Sequence, residues 1–184
     1  KYIKRNVDGT YDITLNASGT VGSKTNPAKV DIVLIVDTSG SMKDDGKLTT
    51  TKAAIESLID VFNAKGDSVD VQYKLVTFAT GASTVTNQWV NGNTLYGKVG
   101  SLTAEGGTNY DQGFQKGKTA IGDARPDAKK VVIFLTDGQP TYYGEPTYSP
   151  YYGTIASGLG DATSTNTLTA ALNSAATITC TDFY

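Results

Sequence analysis

Two stretches of the chain are apolar almost without interruption: Val30-Asp31-Ile32-Val33-Leu34-Ile35-Val36, and Val131 to Leu135 inside Lys130 to Thr136. Runs of this kind suit strands buried on both faces of a parallel sheet. Each is followed at its end by an aspartate, Asp37 and Asp137. Between them, Leu48, Lys52, Ile55, Leu58 or Ile59, and Phe62 recur at three- and four-residue steps, which predicts an amphipathic helix stopping near Lys65-Gly66. Val69 to Ala79 reads as a further strand and Ser83 to Val90 as a hairpin-like one. Thr94 to Leu102 carries a weaker helical pattern. Asn109 to Ala124 is a helix with Tyr110, Phe114, Lys118 and Ile121 on one face, opened by the turn Gly106-Gly107-Thr108-Asn109. Leu168, Ala171, Leu172, Ala175 and Ala176 mark a last helix, capped by Ser164 or Thr165. Upstream, Tyr11, Ile13 and Leu15 alternate with polar neighbours in a flanking strand over 9–15, and 16–29 is a loop by composition. Strands alternating with helices predict an α/β fold, a mostly parallel sheet with helices on both faces. The stretch Gln139 to Asp161 breaks the rhythm with Tyr142, Tyr143, Tyr148, Tyr151, Tyr152 and three of the five prolines, and is expected to be a long functional loop.

Length and composition narrow the classes. The 184 residues suffice for one domain. Charged residues are 18% of the chain, below the roughly 25% of average soluble domains, with hydroxyl residues and glycine in their place. The net charge of -2 offers no electrostatic footprint for nucleic acid or an anionic membrane. Histidine is absent, which excludes Ser-His-Asp and Cys-His nucleophile pairs and every histidine-ligated metal site. The lone Cys180 cannot form an internal disulfide and is expected to be a small buried apolar side chain, and Met42 and Trp89 are expected to be packing residues. No apolar run reaches the roughly 18 residues of a membrane span. The start, Lys1-Tyr2-Ile3-Lys4-Arg5, lacks a signal peptide's apolar core, so the chain reads as a piece of something longer.

In open α/β sheets, ligands bind outside the carboxyl ends of the strands. Asp37-Thr38-Ser39-Gly40-Ser41 can turn one carboxylate and two hydroxyls toward a common point there, and Asp137 arrives at the same edge. A hard divalent cation wants oxygen ligands. Two carboxylates at most neutralise it, and neutral hydroxyls leave it able to attract one more anionic oxygen from outside.

Asp37-x-Ser39-x-Ser41, then Gly106-Gly107-Thr108-Asn109, then Leu135-Thr136-Asp137-Gly138, in that order, resembles the metal-ion-dependent adhesion site of von Willebrand factor type A (integrin I-like) domains. The resemblance covers Lys29 to Asp137 best. It implies a Rossmann-like three-layer sandwich, with residues 1–28 a flanking strand and connection and 29–184 the type A domain, truncated at the C-terminus and carrying an insertion at 139–161. It implies Mg2+, with Mn2+ or Ca2+ as alternatives, held by Asp37, Asp137 and the hydroxyls of Ser39, Ser41 and Thr108. Asp8 to Leu15 and the Tyr/Pro-rich insertion further resemble tip adhesins of Gram-positive pili. That implies a non-enzymatic adhesion module on the cell surface or wall, with a host or extracellular-matrix protein and a pilus backbone subunit as partners, and Tyr142, Tyr143, Tyr148, Tyr151 and Tyr152 as ligand contacts.

Two other readings compete. A Mg2+-dependent phosphoester hydrolase would need a general base, for which Glu105 is nearest in sequence. An intracellular type A domain serving an assembly complex is the second. Asp44-Asp45-Gly46 reads as a solvated turn, and Asn16-Ala17-Ser18 fits a glycosylation triplet that arises often by chance.

Overall fold

The computed structural model describes residues 2–5, 11–14, 26–150 and 153–184. Tyr2–Arg5 (β1) and Tyr11–Thr14 (β2) pair antiparallel, Tyr2 opposite Thr14, as a two-stranded sheet. The rest of the expected 9–15 strand, the following connection to residue 25 and its Asn16 triplet lie outside the described residues.

The main sheet has five strands. In chain order they are Ala28–Asp37 (β3), Val69–Phe78 (β4), Ala82–Thr84 (β5), Lys129–Leu135 (β6) and, after a separate hairpin of Tyr142–Ser149 (β7) and Gly153–Gly158 (β8), Asp182–Phe183 (β9). The spatial order is β5-β4-β3-β6-β9. β3 runs parallel to β4 and to β6, and β6 parallel to β9; only β5 is antiparallel. Among the described residues the connecting α-helices are Lys47–Asn63 (α1), Gly92–Gly100 (α2), Tyr110–Gly122 (α3) and Thr165–Ala175 (α4).

The apolar run of β3 is continuous because both its faces are covered. Ile32, Leu34 and Val36 pack with Ile55 and Ile59 of α1 and Leu95 and Val99 of α2. Val33 and Ile35 pack with Phe114 and Ile121 of α3 and Ala171 of α4. Each such side chain contributes about 1.5–3 kcal/mol by leaving water. The result is a mixed, mostly parallel sheet between two helical layers, as the resemblance implied.

Three expectations change. The strand over 83–90 shrinks to Ala82–Thr84 plus one bridge between Tyr73 and Val90, because the Thr86 hydroxyl accepts from the Leu75 amide at 2.8 Å and replaces a ladder bond. The stretch 139–161 is no plain loop: β7 and β8 pair antiparallel, with a register shift between Tyr143 and Thr147. That shift and the turn-forming Gly144, at φ 73°, erase the period-2 pattern by which a strand is read. Cys180 is half-buried rather than enclosed. Met42 is fully buried, and Trp89 is half-buried, donating from Nε1 to Asp123 at 3.1 Å. Ser164 caps α4, accepting from the Thr167 amide at 3.2 Å while Thr167 Oγ1 accepts from the Ser164 amide at 2.9 Å. Among the described residues no helix is long and apolar enough to cross a membrane.

Candidate functional site

At the carboxyl edge of the sheet, β3 ends in Asp37, whose side chain is 0% exposed. Its Oδ1 accepts from the Ser39 amide at 2.7 Å and its Oδ2 from the Thr136 hydroxyl at 2.7 Å. Both donors are neutral. Burial pushes the Asp37 carboxyl above its ordinary value, against the hydrogen bonds from Ser39 and Thr136 and with a smaller upward push from the neighbouring Asp137 charge. A buried carboxylate so placed favours any cation that can reach it.

The chain turns after Asp37 into a 3-10 segment, Gly40–Gly46, which brings Ser39 and Ser41 onto the same edge. Their hydroxyl oxygens lie 3.2 Å apart, and Ser41 Oγ donates to Asp137 Oδ1 at 2.9 Å. The loop is pinned to the turn before α3. Gly40 N donates to Gly106 O and Glu105 N to Thr38 O, both at 2.8 Å. Gly40 permits this approach, since a Cβ there would lie 3.1 Å from the Gly106 oxygen. Thr108 is buried, and its carbonyl accepts from the amides of Thr141 and Tyr142, which ties the hairpin to the edge. A groove of about 500 Å³ is lined by Ser41, Gly107, Thr108, Gly138, Thr141 and Asp161, among others.

Thus Asp37, Ser39, Ser41 and Asp137 fall on one edge, the last three linked by direct side-chain contacts, and Thr108 shares a groove with Ser41. Among the described residues no group of three or more acidic or thiol side chains that could hold a metal ion occurs; the donors gathered at this edge are the carboxylates of Asp37 and Asp137 and the hydroxyls of Ser39 and Ser41. That donor set fits an oxygen-seeking divalent ion that keeps an open position.

Other residues complete the edge, and sequence spacing did not single them out. Thr136 links Asp37 to Tyr110, whose hydroxyl lies 2.8 Å from Thr136 Oγ1 and donates to the Gly138 carbonyl. Burial raises the Tyr110 phenol, which keeps it a donor. Lys47 Nζ lies 2.8 Å from Asp137 Oδ2, and that hydrogen bond holds the ammonium above its ordinary value. The adjacency of Thr136 to Asp137 was visible in the sequence; nothing there signalled Lys47, ten positions from Asp37.

The aromatic cluster is divided. Tyr142 is half-buried, its ring so close to Gly107 that a Cβ on that residue would lie 2.2 Å from Cε2. Tyr143 is also half-buried, Tyr148 is 78% exposed, and Tyr151 and Tyr152 lie outside the described residues. Glu105 is exposed and lines the neighbouring grooves rather than the one bordered by Ser41 and Thr108. Asp44 and Asp45 form an exposed turn, with Asp45 at φ 51°.

Comparison with known proteins is consistent with this geometry. The family model described as von Willebrand factor type A domain matches residues 31–176. A protein of Synechocystis sp., sll0103, itself uncharacterized, is 32% identical over 130 residues, 70% of this chain and 29% of its own length. Among solved structures, the vWF domain of the type V pili tip protein Mfa5 from Porphyromonas gingivalis aligns with a TM-score of 0.57 at 21% identity, over 64% of this chain and 40% of that one. The PilB minor pilin of Streptococcus sanguinis aligns with a TM-score of 0.57 at 19% identity, over 85% of this chain and 47% of that one. The chain therefore spans less than half the length of each of these proteins.

Proposed function

Since the chain belongs to the von Willebrand factor type A family, we propose that it is a non-enzymatic cell-surface adhesion module that binds a host or extracellular-matrix protein through a divalent cation. The residues that would hold the ion are Asp37, Ser39, Ser41, Thr108 and Asp137, with Mg2+ the best fit to their oxygen chemistry and Mn2+ or Ca2+ as alternatives. When bound, such an ion supplies a Lewis-acidic position that accepts a carboxylate oxygen of the ligand.

The observation that carries this reading is Asp37: a fully buried carboxylate at the carboxyl end of β3 that accepts from the neutral Ser39 amide and Thr136 hydroxyl, next to the Ser39 and Ser41 hydroxyls that lead on to Asp137. Ser39 and Ser41 contribute oxygen without charge, so the edge stays under-neutralised and receptive to an outside anion. The hairpin beside it offers the exposed Tyr148 as a rigid amphipathic contact, with the half-buried Tyr142 packed against Gly107 and Tyr143 next to it on the strand. Likeness to pilus tip and minor pilin domains supports an extracellular setting, with a pilus backbone subunit as assembly partner. The hydrolase reading is weaker, because Glu105, the candidate base nearest in sequence, lines a different groove.

The test is binding to immobilised collagen, fibronectin and fibrinogen with Mg2+, with EDTA, and in Asp37→Ala. Retention that requires Mg2+ and Asp37 is expected; equal retention in all three conditions removes the cation from the function.

A further inference from the structure

The hairpin of β7 and β8 is a sheet of its own and, among the described residues, shares no ladder with the main sheet. A lone two-stranded hairpin is at best marginally stable in water. Its place beside the proposed cation edge therefore depends on what it touches, and a series of those contacts falls between Gly107 and Asp111, where the turn before α3 becomes that helix.

Gly144 of the hairpin is held from both sides. Its amide donates to Asp111 Oδ2 at 2.9 Å and its carbonyl accepts from Asn109 Nδ2 at 3.1 Å. Asp111 is itself buried, at 6% exposure, and its Oδ1 accepts from Gln115 Nε2 at 2.8 Å and from the Ser174 hydroxyl of α4. The hairpin is thus anchored to two helices through one fixed carboxylate.

Thr108, just before this anchor, gives both of its backbone groups to the entry of the hairpin. Its amide donates to Thr141 Oγ1 at 3.0 Å, and its carbonyl accepts from the Thr141 and Tyr142 amides at 2.8 and 2.9 Å. The Thr141 carbonyl in turn accepts from the Gly160 amide at 3.3 Å, where the chain leaves the hairpin. With the N–H and C=O of Thr108 both fixed, the direction of its Cα–Cβ bond is fixed too, and the hydroxyl is left only a choice of rotamer. Asp37 and Asp137, by contrast, come off β3 and β6, strands of the main sheet. Thr108 is the proposed ligand whose placement is held by the inserted hairpin.

We propose that Thr141 is a positioning residue for the cation edge: through the Thr108 backbone the hairpin sets where the Thr108 hydroxyl stands, and the edge reaches its full affinity for a divalent ion only while the hairpin is docked. This rests on the cation reading above, in which Thr108 supplies one of the ligand oxygens. By linkage, the bound ion holds the hairpin down by the same factor.

The test is a double-mutant cycle, read by calorimetric titration of Mg2+ into the 184-residue chain. Thr141→Val keeps the side chain's shape and removes the acceptor of the Thr108 amide. It should weaken Mg2+ binding about tenfold, the scale of a buried donor left without its partner, and Thr108→Ala should do the same. The double variant should lie within about twofold of either single one, because Thr141 acts only through Thr108. Effects that multiply in the double variant, or wild-type affinity in Thr141→Val, overturn the positioning role and leave the cation reading standing. Failure of the wild type to bind Mg2+ at millimolar concentration overturns both.

Hydrogen exchange of the Tyr142–Ser149 amides tests the coupling without relying on the fold of Thr141→Val. Saturating Mg2+ should slow that exchange in the wild type by about the factor that Thr108→Ala takes from Mg2+ affinity, and should leave it unchanged in Thr108→Ala itself. Wild-type hairpin exchange that is the same in Mg2+ and in EDTA, although Mg2+ binds, overturns the proposal, as does equal slowing in Thr108→Ala.

Discussion

β3 carries two aspartates that the fold removes from water completely, one at each end, and treats in opposite ways. At the amino end, Asp31 meets Arg125, whose amide donates to Oδ2 at 2.6 Å and whose Nε donates to Oδ1 at 2.9 Å. The same guanidinium also holds Asp70. At the carboxyl end, Asp37 accepts from the neutral groups of Ser39 and Thr136, and burial lifts its carboxyl above the ordinary range. The ammonium at this edge, Lys47, pairs with Asp137. Asp31 thus has a positive charge of the protein's own beside it, whereas Asp37, at the edge where we propose that an ion binds, has neutral donors. A buried acid with its own cation is structural; a buried acid without one, at a ligand-binding edge, is a candidate site.

The contrast is sharpened most by removing the built-in cation. Arg125→Ala strands Asp31 and should lower stability by about 3 kcal/mol, the low end for breaking a buried pair, since Arg125 keeps part of its side chain in water. Urea unfolding would report it, and Mg2+ affinity should stay within about twofold. Asp37→Ala should do the converse. Mg2+ affinity falls at least about 100-fold, or roughly 2.7 kcal/mol, while metal-free stability is unchanged or higher because an uncompensated buried carboxylate is gone. If Asp37→Ala unfolded the protein and Arg125→Ala did not, the two ends would have been assigned the wrong way round.

Titration offers a smaller handle. The folded Asp37 carboxyl holds its proton to higher pH than the unfolded chain, whose reference value is 3.8. Its contribution to metal-free stability is therefore present below that value and lost as pH rises through the raised one. The wild type should lose up to about 1.4 kcal/mol per pH unit across that window relative to Asp37→Asn. Saturating Mg2+ should reverse the loss, and coincident pH profiles in chelator would refute the contrast. Smallest is Lys47→Met. Freeing Asp137 from a partly exposed ammonium should raise Mg2+ affinity about threefold and shift stability by less than about 0.5 kcal/mol.

Much of this was legible in the residues because the decisive elements are strongly patterned. The doubly buried β3 and β6 announce themselves by unbroken apolar runs, and their terminal aspartates by position. The hairpin over Tyr142–Ser149 and Gly153–Gly158 was not legible, since its bulge and its Gly and Pro residues interrupt alternation and much of its surface is polar. Nor was the pairing of Arg125 with Asp31, 94 positions away, which only the sheet's closure brings about. At the edge itself, Asp37, Ser39, Ser41, Thr108 and Asp137 could be named from spacing and resemblance. Thr136, Tyr110 and Lys47 act through tertiary contacts that no short motif records.

The most direct test of the central claim is anomalous diffraction from a crystal of the 184-residue chain soaked in Mn2+. One peak is expected at about 2.0–2.5 Å from the Ser39 and Ser41 hydroxyls, with Asp37, Thr108 and Asp137 reaching it directly or through one water. No peak at this edge at saturating Mn2+, or a peak only at the exposed Asp44-Asp45 turn, would contradict it.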